Sequence, residues 1–352
     1  MDDKFPYIVF LSPLLLGIIG IIMIASATSG EIMGYSLLSP KFMKQLLIFI
    51  FCIPFYLLIT KIKPSIWLKL RYIIILISII LLLLVKLFGV SINNSTRWIK
   101  IFGIPVEPTT FTHIAIVIFI SGEKKVIISV ILTTIISLLI FLQPDLSSAF
   151  ITILIGFIMI YIKGVKFSKF SYSLLILLFL PLFFPRQMKK ITYRLNYFYS
   201  QNIQNSVNSL KRGKIFGMGL GEGIDKFSSI PLPYSDNIFT TGAQELGFIW
   251  SSLILTIFLA YYLNSTNLLK KISSQELKSL GFGISTTIVI YALLNILSSI
   301  NLIPITGDPL PFVSQGGSAL VSFYIAAGIT GGIVNENSNR GWWNRRSYNT
   351  RN

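Results

Sequence analysis

The chain has 352 residues, of which 53% are hydrophobic and only 12% charged, with a mean hydropathy of +0.74. A soluble domain carries about 25% charged residues, so this composition excludes an ordinary soluble protein and points to lipid as the solvent of the apolar surface. The net charge of +17 would suggest a nucleic-acid partner in a soluble chain, but the basic residues lie between apolar runs and fit membrane topology instead. Cys52 is the single cysteine, which excludes an intrachain disulfide and a thiolate metal site.

A bilayer core of about 30 Å calls for about 20 apolar residues in helix, because the backbone polar groups must be satisfied internally. Apolar runs occupy residues 5–25, 46–60, 72–90, 111–121, 126–142, 149–162, 167–184, 240–263, 280–299 and 312–333. The first is too long for the apolar part of a signal peptide, and no cleavage site with a soluble domain follows, so it reads as a retained helix. The expected fold is all-α and polytopic, with about ten transmembrane helices. A single transmembrane domain covers residues 1–334, and a polar tail covers 335–352.

With the N-terminus inside, 17 Lys and Arg residues fall in cytoplasmic segments and 4 in short external loops, namely Lys41, Lys44, Arg97 and Lys100. That asymmetry puts both termini in the cytoplasm of a multi-pass protein of the cytoplasmic membrane. Residues 185–239 then form a long extracytoplasmic loop between the seventh and eighth spans, and a loop of that length is usually functional. It carries Lys211, Arg212 and Lys214, followed by Gly217, Gly219, Gly221 and Gly223. No strand of dinucleotide-binding type precedes the glycines, so they read as a flexible loop.

Five motifs follow one another along the chain. Ser95-Thr96-Arg97-Trp98-Ile99 with Pro105-Val106-Glu107-Pro108-Thr109 is the first, and Gln143-Pro144-Asp145-Leu146 the second. The third is the stretch from Gly217 to Gly221, and the fourth runs from Leu232 through Asp236 to Phe239, with Gln244-Glu245-Leu246-Gly247 after it. The last spans Pro304 to Ser318 and includes Gly307, Pro309, Pro311, Ser314 and Gln315. In order and content they resemble the SEDS family (shape, elongation, division and sporulation; FtsW, RodA and SpoVE), and they cover nearly the whole chain. The triplet Ser26-Ala27-Thr28 after the first run leans toward the FtsW branch.

The resemblance implies a peptidoglycan glycosyltransferase that polymerises lipid II, an undecaprenyl-diphosphate-linked disaccharide peptide, on the outer face of the cytoplasmic membrane. It implies a class B penicillin-binding protein as partner, within the membrane machinery of division or elongation. Asp236 is the expected catalytic base; from the residues alone it equally suits a solvated loop or a helix cap. Arg97 and Trp98 suit either an interfacial anchor or, by resemblance, the functional cavity. Asp145 suits a helix cap or the cavity wall. Lys211, Arg212 and Lys214 suit either a diphosphate or anionic head groups; Glu107 and Glu245 complete the expected substrate-binding set.

The Pro309–Gly317 stretch breaks helix at membrane depth and reads as a re-entrant wall of the cavity. His113, the only histidine, reads as a polar interior residue and forms no zinc site. No cofactor motif is present, and the carboxylates with the lipid diphosphate leave room for a divalent cation. Several positions depart from the family pattern, among them Thr110 where an acid is expected, His113 where a lysine is, Gln315 where a tyrosine is, and Asn237 beside the retained Asp236. Glu107 offers a replacement carboxylate one helical turn from Thr110. A lipid II flippase and a non-catalytic scaffold are the rival readings.

Overall fold

A computed structural model describes residues 6–29, 39–92, 95–101, 103–143, 145–164, 202–228, 230–304 and 306–337, with isolated positions between 188 and 198. In chain order the helices are α1 (Pro6–Ala27), α2 (Pro40–Ile59), the short α3 (Ser65–Lys69), α4 (Arg71–Phe88), α5 (Pro108–Gly122), α6 (Val126–Phe141) and α7 (Leu146–Ile162). They continue with α8 (Asn202–Gly213), α9 (Ile238–Lys270), α10 (Gln275–Ser299) and α11 (Gly317–Asn337). Six of them (α1, α2, α4, α9, α10 and α11) are long and apolar enough to cross a membrane; α5, α6 and α7 are shorter apolar helices. The run at 167–184 lies outside the described residues.

The apolar runs become helices because lipid offers the backbone no hydrogen-bond partners, and local chemistry sets their ends. α2 starts at Pro40 rather than at 46, since Ser39 Oγ accepts from Phe42 N (3.2 Å) and proline occupies the first turn. α9 spans 33 residues across a kink at Gly247, whose φ of 72° and ψ of −161° are non-helical. α11 begins at Gly317, not at 312, because the preceding residues 306–316 are irregular; it then runs past Asn335 into the stretch expected as tail.

One part of the architecture is not helical. β1 (Val90–Ile92), β2 (Ser95–Ile101) and β3 (Ile104–Val106) form an antiparallel sheet in the order β1-β2-β3. Ile99 pairs with Val106 and Ile101 with Ile104 across a tight turn in which Gly103 has a φ of 79°. The sheet occupies the short loop expected around Arg97 and Lys100, and it leaves the fold class helical and polytopic.

α5 lies at the centre of the bundle, packed against α4, α7, α10 and α11, and every residue from Thr112 to Gly122 is buried. Peripheral helices keep apolar faces outward: only 22% of the α4 span is buried inside the protein, against 78% for α11. At one end of the bundle the basic connections gather around Glu123, which accepts from Tyr72 OH (2.8 Å) and whose carbonyl accepts from Lys163 Nζ. The sheet, the α6–α7 turn, the segment before α9 and the irregular 306–316 segment meet at the other end.

Candidate functional site

Arg97 is the hub of that second end. β2 delivers it from the sheet to a position where it is 6% exposed, and its Nη2 lies 3.1 Å from Oδ1 of Asp145, itself 1% exposed. Burial works against the guanidinium charge, but Asp145 offsets it, together with Glu107, Asp308 and Asp236, so Arg97 is held above its ordinary pKa and stays protonated. Asp145 also caps α7: its Oδ1 accepts from Ser148 N (3.2 Å) and from Ser147 Oγ (3.1 Å). Asp145 thus caps α7 and pairs with Arg97 of the sheet at once, because the residue that ends the α6–α7 turn is placed opposite β2.

Asp236 sits just before α9 and faces Arg97 across Gly307. A Cβ built on Gly307 would lie 3.7 Å from Asp236 Oδ2 and 4.0 Å from Arg97 Nη1. Gly307 has a φ of 75°, a conformation side chains disfavour, and a side chain there would project toward both groups. Asp236 is partly exposed. Its Oδ1 accepts from Ser235 Oγ (2.8 Å), and its carbonyl accepts from Asn295 Nδ2 (3.0 Å) and Ser299 Oγ (3.3 Å) of α10.

The irregular segment 306–316, which takes in most of the Pro309–Gly317 stretch, is hydrogen-bonded to the segment before α9. Ser314 Oγ donates to the carbonyl of Ser235 (2.7 Å) and accepts from Leu310 N (2.9 Å); Gln315 N donates to the carbonyl of Tyr234 (3.0 Å). Gln45 of α2 closes the turn, donating from Nε2 to the Ser314 carbonyl (3.3 Å) and accepting from Gly316 N at Oε1 (3.2 Å). Phe312, 3% exposed, is held at a φ of 66°, a strained state that persists only where the surroundings over-determine it. Ser314 and Gln315 thus hold the Asp236 segment through its backbone carbonyls.

The remaining expected residues divide. Glu107, partly buried at the N-terminus of α5, is within charge range of Arg97, and burial pushes its carboxyl up to about 8. Its backbone N–H donates to Ser318 Oγ (3.2 Å). Thr110 is buried beside it at 4% exposure. His113 is fully buried, with Nδ1 2.6 Å from Tyr291 OH and Nε2 2.8 Å from Thr152 Oγ1, which is the interior hydrogen-bonding role read from its isolation. Trp98 is partly exposed on β2, paired with Val90. Lys211 and Lys214 are exposed, whereas Arg212 is tied to Asp225 at 2.5 Å. Glu245 is fully buried in an ion pair with Lys226 (2.8 Å), so its carboxylate is not among those around Arg97.

Two residues of the site escaped the sequence reading. Asp308, 4% exposed, joins the acids around Arg97; Ser148 Oγ lies 3.4 Å from its Oδ1, and Asn295 Nδ2 donates to its carbonyl (2.8 Å). Asn295 therefore ties the Asp308 and Asp236 backbones together. An acid inside a Pro- and Gly-rich break at membrane depth is the signal that marks Asp308; Asn295, one polar residue in a helical span, carries none as specific. Among the described residues no group of three or more His, Cys, Asp or Glu is arranged to hold a metal ion.

The fold and this cluster define a multi-pass helical membrane protein with a charged, partly open polar site at one end of the bundle. The chain belongs to the FtsW/RodA/SpoVE family of cell cycle proteins, which matches residues 6–339. It is 31% identical to the probable peptidoglycan glycosyltransferase FtsW of Wigglesworthia glossinidia brevipalpis, over 93% of this chain and 92% of that one. It is 32% identical to the stage V sporulation protein E of Bacillus subtilis, over 75% and 77% of the two chains. Among solved structures, a chain of a peptidoglycan synthase complex that coordinates polymerization and crosslinking superposes with a TM-score of 0.78 at 18% identity, covering 96% of this chain and 100% of that one. The rod shape determining protein RodA of Thermus thermophilus superposes at 0.71 with 16% identity, covering 94% and 96%.

Proposed function

We propose that this chain is a peptidoglycan glycosyltransferase that polymerises lipid II into glycan strands on the outer face of the cytoplasmic membrane, with Asp236 as general base. The observation that carries the reading is the placement of a partly exposed Asp236 opposite the buried Arg97 across Gly307, in a chain of this family. In the step proposed, the acceptor sugar hydroxyl attacks the anomeric carbon of the donor as Asp236 takes its proton. The new glycosidic C–O bond forms while the bond from that carbon to the lipid diphosphate breaks. Negative charge then collects on the departing diphosphate, and Arg97 supplies fixed positive charge for it inside the site. The exposed Lys211 and Lys214 add mobile positive charge at the rim.

Both termini are assigned to the cytoplasm, with residues 1–334 as one transmembrane domain and 335–352 as its tail. The basic connections at the Glu123 end support this orientation through the preference of Lys and Arg for the cytoplasmic side. A class B penicillin-binding protein is the proposed partner. The test is polymerisation of labelled lipid II by the purified protein, with and without that partner. Glycan strands are the expected product. Transport of labelled lipid II across liposomes without any polymer would replace the reading with a flippase.

A further inference from the structure

A second buried polar cluster lies outside the Arg97 site, at the base of the segment that carries Asp236. Two adjacent residues on one side meet two adjacent residues on the other. Gln244 Nε2 donates to Asp225 Oδ2 (2.7 Å), and Lys226 Nζ donates to Glu245 Oε1 (2.8 Å). Between these rungs runs the chain from 227 to 243, with Asp236 in its middle.

Both members of the Lys226–Glu245 pair are completely buried, and both charged groups are fully engaged by protein partners. The ammonium, with three N–H donors, is also met by the carbonyls of Ser26 (2.9 Å) and Gly221 (2.8 Å) and by Ser29 Oγ (3.2 Å). Glu245 Oε2 accepts from Ser26 Oγ. Lys226 therefore has no donor left for a diphosphate, and Glu245, with both oxygens engaged and no exposed surface, is closed to a sugar hydroxyl. Ser26 fastens the rung to α1, and Ser29 holds it just beyond the end of that helix. The other rung is fastened too: Asp225 Oδ2 accepts from Ser209 Oγ (2.6 Å) of α8, and Oδ1 pairs with Arg212 (2.5 Å).

A buried ion pair is weak as a source of stability but is very sensitive to the loss of one member. Such pairs serve best where one arrangement of a chain must be selected over near neighbours. Here the arrangement selected is the height and angle at which residues 227–237 enter α9. We propose that Lys226–Glu245 and Asp225–Gln244 form a two-rung clasp that positions Asp236 for the reaction, with Lys226 and Glu245 acting as positioning residues and not as substrate ligands. This rests on the reading of Asp236 as the base.

The experiment uses the full chain in detergent and compares Lys226→Met, Glu245→Gln, the double variant Lys226→Met/Glu245→Met, and Asp236→Asn. Polymerisation of labelled lipid II is read as kcat and KM, and amide hydrogen exchange is read over residues 230–237. Each single variant leaves one unpaired buried charge and is expected to lose about 10²-fold in kcat, the scale of a misplaced catalytic group, with KM within about threefold of wild type. Exchange at 230–237 should quicken. The double variant, with no charge to strand, should recover at least about tenfold of the lost kcat and restore the slow exchange.

Single variants with wild-type kcat and wild-type exchange would overturn the clasp. So would losses confined to KM, which would put the pair on the substrate, or a folded double variant no better than the worse single one. Activity retained in Asp236→Asn would remove the base assignment alone, because the exchange at 230–237 still reports whether the clasp holds that segment.

Discussion

Arg97 faces more acid than one guanidinium neutralises. Asp145, Glu107, Asp308 and Asp236 all bear on it, and like charges gathered at one buried point push at least one carboxyl toward its neutral form. Glu107 carries that burden: burial, with Asp145, Asp308 and Asp236 acting in the same direction and Arg97 against them, raises it from 4.5 to about 8. A carboxyl whose folded pKa is raised favours folding fully below its unfolded value, and that contribution is lost as pH rises through the folded one. The window here runs from 4.5 to about 8. The midpoint of thermal unfolding in detergent should therefore fall across that window, and Glu107→Gln should flatten the fall. An unchanged slope in that variant would remove Glu107 from the buried charge cluster.

At the scale of elements, the kink in α9 organises the loop that precedes it. Gly247 interrupts the helical ladder, and the freed groups pair with the loop: Phe248 N donates to the Lys214 carbonyl (3.0 Å), Met218 N to the Gln244 carbonyl (3.1 Å) and Gly219 N to the Glu245 carbonyl (2.9 Å). A Cβ on Gly247 would lie 2.4 Å from both Gly217 N and the Ile215 carbonyl oxygen. Gly247→Ala should thus cost at least about 1–3 kcal/mol from backbone strain alone, with added loss from overlap, seen as a lowered unfolding midpoint and faster proteolysis within 214–227. A variant as stable as wild type would mean that the loop does not lie against the kink.

The helices were legible because lipid enforces long apolar runs, and their ends were less so because capping and irregular segments set them: Ser39 for α2 and residues 306–316 for α11. The sheet was signalled by the β-branched and aromatic residues Thr96, Trp98, Ile99, Ile101, Ile104 and Val106 with Gly103 between them, a signal that a reading tuned to apolar runs passes over. Arg97, Asp145 and Asp236 were singled out because each sits in a short motif. Asp308, Asn295 and Lys226 were not, because their meaning comes from contacts between distant parts of the chain. Glu245 was found, yet its buried partner gives it a place in the loop clasp and not beside Arg97.

Across the whole molecule, polar chemistry separates to the two ends of a bundle centred on α5. The basic connections at the Glu123 end and the acid-rich site at the Arg97 end are assigned to opposite faces of the membrane. Cys52 is fully buried, so single cysteines can be introduced on a quiet background. An impermeant maleimide applied to intact cells should label Lys214→Cys and leave Lys124→Cys unlabelled until the membrane is opened; the reverse pattern would invert the proposed topology.

The whole account turns on a carboxylate at residue 236 that accepts a proton during glycosyl transfer, and Asp236→Asn tests it most directly. The asparagine keeps the size of the side chain and its contact with Ser235 while removing the base. Measured on labelled lipid II beside wild type, with unfolding midpoints compared, the variant should keep its fold and lose about 10²–10⁴-fold in rate. Wild-type polymerisation by a folded Asp236→Asn protein would contradict the account.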